Sequence, residues 1–388
     1  QHLSFMTIRG ARKRDHPPSL SMHAPWWEAY HVQADYFARL SAALSQGEQV
    51  NRILVIEPTA TAWMYQTADG QHARLKELGD VFQKLVVTLD QRQVEYDLGS
   101  EDLMARYGSV RGGRLIVGRR AYDLVVVPPL TETLASRTVE LVKGFLAGGG
   151  KVLCAGEVPA MVDGRPSDRV AALAKSAGWE QVEADGLPAA LLTTETSGFA
   201  LRQAEGDAGI VYHMRRRLAD GDLVFIVNTS IEHPARGTVH ARAGGVERWD
   251  PQTGRIEACA FEQQGDQITA PFELPACGSV LLYVSKAHRE PAAAVAENIA
   301  VVPAAGQTDV TRDEPNVLTL DYVDVTCGQE SRRELYFAKA NEWVFVAHGL
   351  KGNPWDRSVQ FRDQTLRQRF PLESGFEVSY RFTIDQRV

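Results

Sequence analysis

The sequence predicts a multi-domain chain in which α/β units on a parallel sheet give way to all-β domains. Three observations carry this. Between residues 51 and 185, short apolar runs alternate with segments of helical period, the signature of strand–helix–strand units whose strands run parallel. From about residue 190 the helical period ends, and short alternating segments between turn residues replace it, as in small β domains. The length of 388 residues suits two or three domains of about 100–200 residues each.

Residues 1–50 read as a strand at His2–Gly10, a Pro-containing loop at Asp15–Pro25, and a helix from Trp26 to Gln46. Tyr30, Ala34, Phe37, Leu40, Ala43 and Leu44 share one face of that helix by their spacing, and Gly47 is its stop. Residues 51–188 repeat the α/β pattern. Arg52–Glu57 (RILVIE) is a continuous apolar run ending at Pro58, as expected of a strand buried on both faces. A helix follows over Gln71–Arg92, a strand over Val94–Leu98 and a short helix over Asp102–Tyr107. Arg114–Val117 is a strand of its own, and Leu124–Val127 ends at Pro128-Pro129. Thr133–Ala147 is helical, Gly148–Gly150 leads into a strand at Lys151–Cys154, and Ser167–Ala177 adds one more helix. This is a doubly wound sheet of flavodoxin or Rossmann type. Residues 189–288 alternate as a small β domain, with segments such as Leu223–Asn228 and Ser279–Val284 separated by turns at Asp220-Gly221 and Thr253-Gly254. In residues 289–388, a linker at Pro291–Pro303 precedes a second β region that opens at Asn316–Val325 and continues to the end.

Several chemistries lack their residues. A net charge of −7 argues against nucleic acid, because binding phosphates needs a concentrated basic surface. No run approaches the ~18 apolar residues of a helical membrane span. The cysteines, Cys154, Cys259, Cys277 and Cys327, have no metal-like spacing, and redox compartment is not legible from them. The loop after the first sheet strand, Pro58–Ala62, holds no glycine, and neither Gly112-Gly113 nor Gly148–Gly150 has the spacing of a phosphate-binding loop. No cofactor is expected. Cys154 ends a strand before Ala155-Gly156-Glu157, faintly like an amidotransferase nucleophile. Leu153 stands where such a turn has glycine, so a buried structural cysteine is the plainer reading.

The main polar cluster lies in the N-terminal loop. Arg9, Arg12, Lys13, Arg14, Asp15, His16 and His23 fall between strand and helix and are followed by Trp26-Trp27. Charged groups that bond hydroxyls, beside aromatic rings that stack on a pyranose, are what a sugar site requires. The plainer alternative is that the tryptophans anchor the helix and the basic residues pair with nearby acids.

At this cluster the sequence resembles a known family. The stretch HLSFMTIRGARKRDHPPSLSMHAPWWEAYHVQADYFARL is similar to the closing barrel segment of large bacterial glycoside hydrolases related to family 106, which contains α-L-rhamnosidases. GGGKVLCAGEVPA, VERWDPQTG, NVLTLDYVDV and NPWDRSV follow in the order such proteins have. The resemblance implies that residues 1–50 are the last strand and helix of a (β/α)8 barrel. Residues 51–188 would then be a flavodoxin-like domain, as in family 42 β-galactosidases. Residues 189–288 would be a small β domain, and 289–388 a linker and the start of a β-sandwich. His2, Arg12, Lys13, Asp15, Trp26 and Trp27 would line part of a sugar pocket. The two carboxylates that glycoside hydrolysis requires are expected upstream of Gln1, so no catalytic residue is assigned and the chain alone is expected to be inactive. The expectation that the chain is a piece of a larger enzyme rests also on its ends: His2–Ile8 alternates as a strand with no partner nearby, and no signal peptide precedes it. The implied partner is a carbohydrate, including α-L-rhamnosides on polysaccharide side chains, and homo-oligomers through the flavodoxin-like domain would follow from the same likeness. A bacterial periplasmic or extracellular setting is favoured over the cytoplasm. Two alternatives stand beside this: a non-catalytic carbohydrate-binding or assembly module, and an amidotransferase-like thiol enzyme using Cys154.

Overall fold

A computed structural model describes residues 26–70, 72–193, 198–292, 320–353 and 369–384, with positions 305, 306, 309, 311 and 318. The chain forms two compact units, one of residues 32–297 and one of residues 298–388 together with 1–31.

Trp27–Ala29 make a short 3-10 turn that leads into α1 (Tyr30–Leu44). Five strands then form an all-parallel sheet: β1 (Ile53–Ile56), β2 (Tyr96–Gly99), β3 (Leu124–Val127), β4 (Lys151–Ala155) and β5 (Trp179–Val182). Their spatial order is 5-4-3-1-2, the flavodoxin-type order of doubly wound sheets. The connecting helices are α2 (Thr59–Met64), α3 (Ala73–Gln91), α4 (Glu101–Tyr107), α5 (Ser136–Ala147), α6 (Arg169–Leu173) and α7 (Leu187–Thr193). The apolar runs are continuous because both faces are covered. Leu54, Ile56, Val125, Val127 and Val152 pack on α5 through Val139, Val142, Phe145 and Leu146. Their neighbours Ile53, Val55, Leu124, Val126 and Leu153 face the other way, onto Leu85 and Leu89 of α3 and Leu187 and Leu191 of α7. The fifth strand, Trp179–Val182, has no continuous apolar run to announce it: Glu180 and Gln181 are exposed at the sheet edge, while Trp179 and Val182 are half-buried against the two cores.

The glycines that do not fit a phosphate loop have structural work. Gly112 and Gly113, with φ of 54° and 72°, turn Gly108–Arg111 into Arg114–Val117, as a tight hairpin with two left-handed residues requires. Gly149 takes φ +87° after α5, and a Cβ on Gly150 would lie 2.3 Å from the Phe145 ring.

Residues 198–292 form a sandwich of antiparallel sheets. Its strands are β6 (Phe199–Gln203), β7 (Val211–Arg217), β8 (Gly221–Asn228), β9 (Ala235–Arg242), β10 (Gly245–Trp249), β11 (Ile256–Ala258), β12 (Glu262–Gln264), β13 (Gln267–Leu274) and β14 (Ser279–Ser285). One sheet runs β7-β8-β14-β10-β11, extended at β7 by Glu48–Gln49, and the other runs β6-β9-β13-β12. Val224, Ile226, Leu282 and Val284 meet Phe199, Val239, Ile268 and Phe272 between them. The alternate residues Leu223, Phe225, Leu281 and Tyr283 face outward and pack with Tyr36, Leu40, Ala43 and Leu44 of α1. An antiparallel strand as apolar as LVFIV needs a cover on both faces, and α1 supplies the second. The helix expected to close a barrel therefore packs on the sandwich, and Ala34 and Phe37, expected on its buried face, are exposed. The strand expected at His2–Gly10 lies outside the described residues.

In the second unit, β15 (Tyr322–Cys327) pairs with β16 (Glu330–Tyr336) and β17 (Phe376–Ser379) in an antiparallel sheet of order 16-15-17. The expectation of β structure throughout is corrected by α8 (Phe337–Ala347), which packs Ala340, Trp343 and Val344 against Val323, Val325 and Val378. The β-branched and aromatic run WVFV reads as strand. The signals it overrode were the helical spacing of residues 340, 343 and 344 and the stop at Gly349, with φ +82°.

Candidate functional site

Of the six residues expected to line a sugar pocket, His2, Arg12, Lys13 and Asp15 lie outside the described residues. Trp26 and Trp27 are described, and both are well exposed, at 45% and 43%. Spacings of three and four residues across the start of α1 gather both rings on Tyr30. Trp27 stacks on it at 5.8 Å and 5°, and Trp26 leans against it at 6.1 Å and 45°. His31 Nδ1 lies 2.8 Å from the Glu28 carbonyl. The group is an open aromatic surface on a short 3-10 turn, with apolar faces of the kind that stack on a pyranose.

In doubly wound sheets ligands bind beyond the carboxyl ends of the strands, where the strand order reverses. Here that point lies between β1 and β3, and the chain's own groups occupy it. The backbone N–H groups of Glu132 and Thr133 donate to the Thr61 hydroxyl at 3.0 and 3.2 Å. The Glu132 carboxylate accepts from the Tyr65 hydroxyl at 2.6 Å and from Arg74 at 2.9 and 2.6 Å. Partial burial pushes Glu132 up, but these hydrogen bonds outweigh it and hold the carboxyl below its ordinary range; Tyr65 is raised, chiefly by its bond to Glu132. At the start of α5, Ala135 N–H donates to Glu101 at 2.6 Å and Ser136 N–H to Asp163 at 2.8 Å. The donors that would hold a phosphate hold carboxylates of the protein instead.

Cys154, one residue before the end of β4, is fully buried, its Sγ 3.6 Å from the Glu157 carbonyl. Burial pushes its thiol up to about 11, whereas a nucleophilic cysteine needs a stabilised thiolate. The thiol-enzyme alternative is thereby corrected, because Cys154 is a core residue. Iodoacetamide at neutral pH is expected to label the exposed Cys277 and to reach Cys154 only in denaturant, read by peptide mass spectrometry. Fast labelling of Cys154 in the folded chain would restore the thiol enzyme.

Sequence reasoning missed the densest charged cluster, where the α/β domain meets the sandwich. Arg215 on β7 is 1% exposed and forks onto Glu95, with Nε donating at 2.7 Å and Nη2 to the second oxygen. Its Nη1 donates to Asp222 at 3.0 Å, and its guanidinium lies 4.4 Å from the centre of the Phe199 ring. Burial pushes Glu95 up, but His213 and Arg215 outweigh it and keep the carboxylate ionised. A cavity of about 190 Å³ is lined by Glu95, His213 and Arg215 of the cluster together with Asn51, Asp90 and Tyr96, among others. Burial also raises Asp90, and the Tyr96 hydroxyl, 2.9 Å away, partly offsets this. With both oxygens engaged by a guanidinium, Glu95 is no proton donor at neutral pH, and the cluster joins domains. The available signal was the charged run RRR at the end of a strand whose alternation turns Arg215 inward.

No family model matches this sequence, and no curated protein matches it. By structure the chain is similar to a rhamnosidase from Novosphingobium sp. PP1Y, with a TM-score of 0.52 and 15% identity over 82% of this chain and 30% of that one. The fold is glycoside hydrolase-like. A family 42 exo-carrageenase from Bacteroides ovatus gives a TM-score of 0.39 at 13% identity, over 61% of this chain and 29% of that one. A family 42 β-galactosidase from G. stearothermophilus gives 0.41 at 12% identity, over 64% and 42%. The chain thus spans about 30% of the length of the rhamnosidase it matches.

Proposed function

We propose that these domains belong to a glycoside hydrolase acting on α-L-rhamnosides, and that Trp26 and Trp27 form part of the rim of its sugar pocket. The observation that carries the reading is the likeness of fold to a rhamnosidase over 82% of this chain. Hydrolysis of a glycoside needs an acid and a second carboxylate across the scissile bond, ~5–10 Å apart. Among the described residues, Glu95, Asp222 and Glu132 are bound to arginines, and Glu101 caps α5. The reading therefore takes none of these four as catalytic and, since the chain spans about 30% of the rhamnosidase it resembles, assigns the pair to the remaining part of such an enzyme. The 388-residue chain is then expected to leave aryl α-L-rhamnosides intact, and robust turnover by it would overturn that assignment.

For the rim, titration calorimetry with rhamnose-bearing oligosaccharides is expected to show binding by the chain. Trp27→Ala should weaken it roughly three- to tenfold, the worth of about one aromatic stacking contact. Both rings are exposed, so circular dichroism should be unchanged. Binding that survives Trp26→Ala and Trp27→Ala together, or its absence in the parent chain, would remove the rim from the reading.

A further inference from the structure

We propose that two copies of this chain pair edge to edge through β17, antiparallel about a two-fold axis at Ser379. β17 is an outer strand: it pairs with β15 on one edge and, among the described residues, with no strand on the other. Such an edge presents a row of backbone N–H and C=O groups ready to pair with another chain. It also carries large apolar side chains. Val378 lies opposite Val325 and packs on the α8 side of the sheet, and the alternation continues in Phe376, Tyr380 and Phe382, each more than half exposed. Phe376, Val378 and Tyr380 border an apolar cavity of about 460 Å³ together with Phe337, Val344 and Phe345 of α8. An exposed apolar patch of this kind marks an interaction surface.

The strand's own sequence fits it to a second copy. In an antiparallel pair, directly opposed residues share a face, so a partner must set apolar positions against apolar ones. FEVSYRF (376–382) does this with itself. With Ser379 at the centre, Phe376 meets Phe382 of the second copy and Val378 meets Tyr380, while Glu377 meets Arg381 on the other face. The two-fold axis repeats each contact, giving two Glu–Arg pairs, and such a self-complementary contact closes at two copies. A slip of one residue would set apolar positions against polar ones. Moving the centre to Val378 or Tyr380 would part Glu377 from Arg381. Arg381 also binds Asp324 at 2.5 Å, yet its side chain is 72% exposed, which leaves donors for Glu377 of the second copy. This contact does not depend on the rhamnoside reading.

Light scattering on the whole chain of 42.8 kDa is expected to give twice that mass at micromolar concentrations. Glu377→Arg sets like charges against each other twice per dimer and should raise the dissociation constant roughly tenfold. Arg381→Glu should do the same, and the two variants mixed should form a one-to-one dimer, because each residue then meets the opposite charge. Ser379→Cys, made with Cys277→Ser to remove an exposed thiol, should join two copies through a disulfide under oxidised glutathione, since opposed Cα atoms lie within the ~4.4–6.8 Å that a disulfide spans. A monomeric parent chain overturns the proposal and assigns the edge to another part of the enzyme. A dimer untouched by Glu377→Arg also overturns it and points to the flavodoxin-like domain as the contact. Should the mixed variants fail to pair because one does not fold, the disulfide decides: its absence in the Ser379→Cys chain overturns the pairing.

Discussion

Arg215→Met is expected to destabilise the 32–297 unit by ~3–5 kcal/mol, because removing one partner of a buried ion cluster strands the others. Arg215 is 1% exposed and Glu95 9%, and the guanidinium binds Glu95 through two nitrogens and Asp222 through a third. Methionine keeps the aliphatic stem but strips the buried Glu95 of its bidentate guanidinium and leaves Asp222 with only the half-exposed Arg217. The loss should therefore exceed what surface pairs such as Lys76–Asp80 provide, which is ~0–1 kcal/mol each. The triple variant Glu95→Leu, Arg215→Met, Asp222→Asn removes the charges together and should recover most of the loss. Thermal melting of parent, single and triple variants provides the check. A single variant within ~1 kcal/mol of the parent would mean that the cluster is solvated and does not join the domains.

The second large effect is expected from Phe145→Ala, at ~3–5 kcal/mol. Phe145 is fully buried on α5, among Val125, Val152 and Leu146. Its ring also fills the space above Gly150, where a Cβ would come within 2.3 Å. Alanine leaves a cavity that neither the rigid parallel sheet nor the turn at Gly148–Gly150 can close, since neither backbone can shift without breaking the ladder between β4 and its neighbours. Gly150→Ala should act through the same contact and be partly rescued by Phe145→Leu, which vacates the ring position. Urea titration followed by circular dichroism separates these cases. A loss below ~1.5 kcal/mol for Phe145→Ala would indicate collapse of the site.

Much of the architecture was legible because burial on both faces leaves a mark in composition. RILVIE, LVVV and KVLC, alternating with helical segments, announce a parallel sheet, since a strand tolerates such runs only when both of its faces are covered. Alternation after residue 190 marks the sandwich for the complementary reason, with one face dry and the other wet. The misses share a cause. WEQV at the sheet edge is too short and too polar in its middle to form an apolar run, and WVFV in α8 carries strand propensity that tertiary packing overrode. The tasks of the glycines at 112, 113 and 149–150 depend on which ring and which hairpin they meet.

The candidate sites divide in the same way. The aromatic group at Trp26, Trp27 and Tyr30 follows from spacing along one helix start, so a local rule suffices to find it. The Cys154 environment, the occupied crevice at Thr61 and Glu132, and the cluster of Glu95, His213, Arg215 and Asp222 join residues up to about 120 positions apart. The sequence by itself determined the alternation of sheet types and the supply of charged and aromatic groups, because local period and composition record how each element is buried. Which charges meet, which thiol is sealed and which crevice is filled were decided only by the tertiary structure. Those outcomes depend on the register and packing of segments far apart in the chain, which no local pattern encodes.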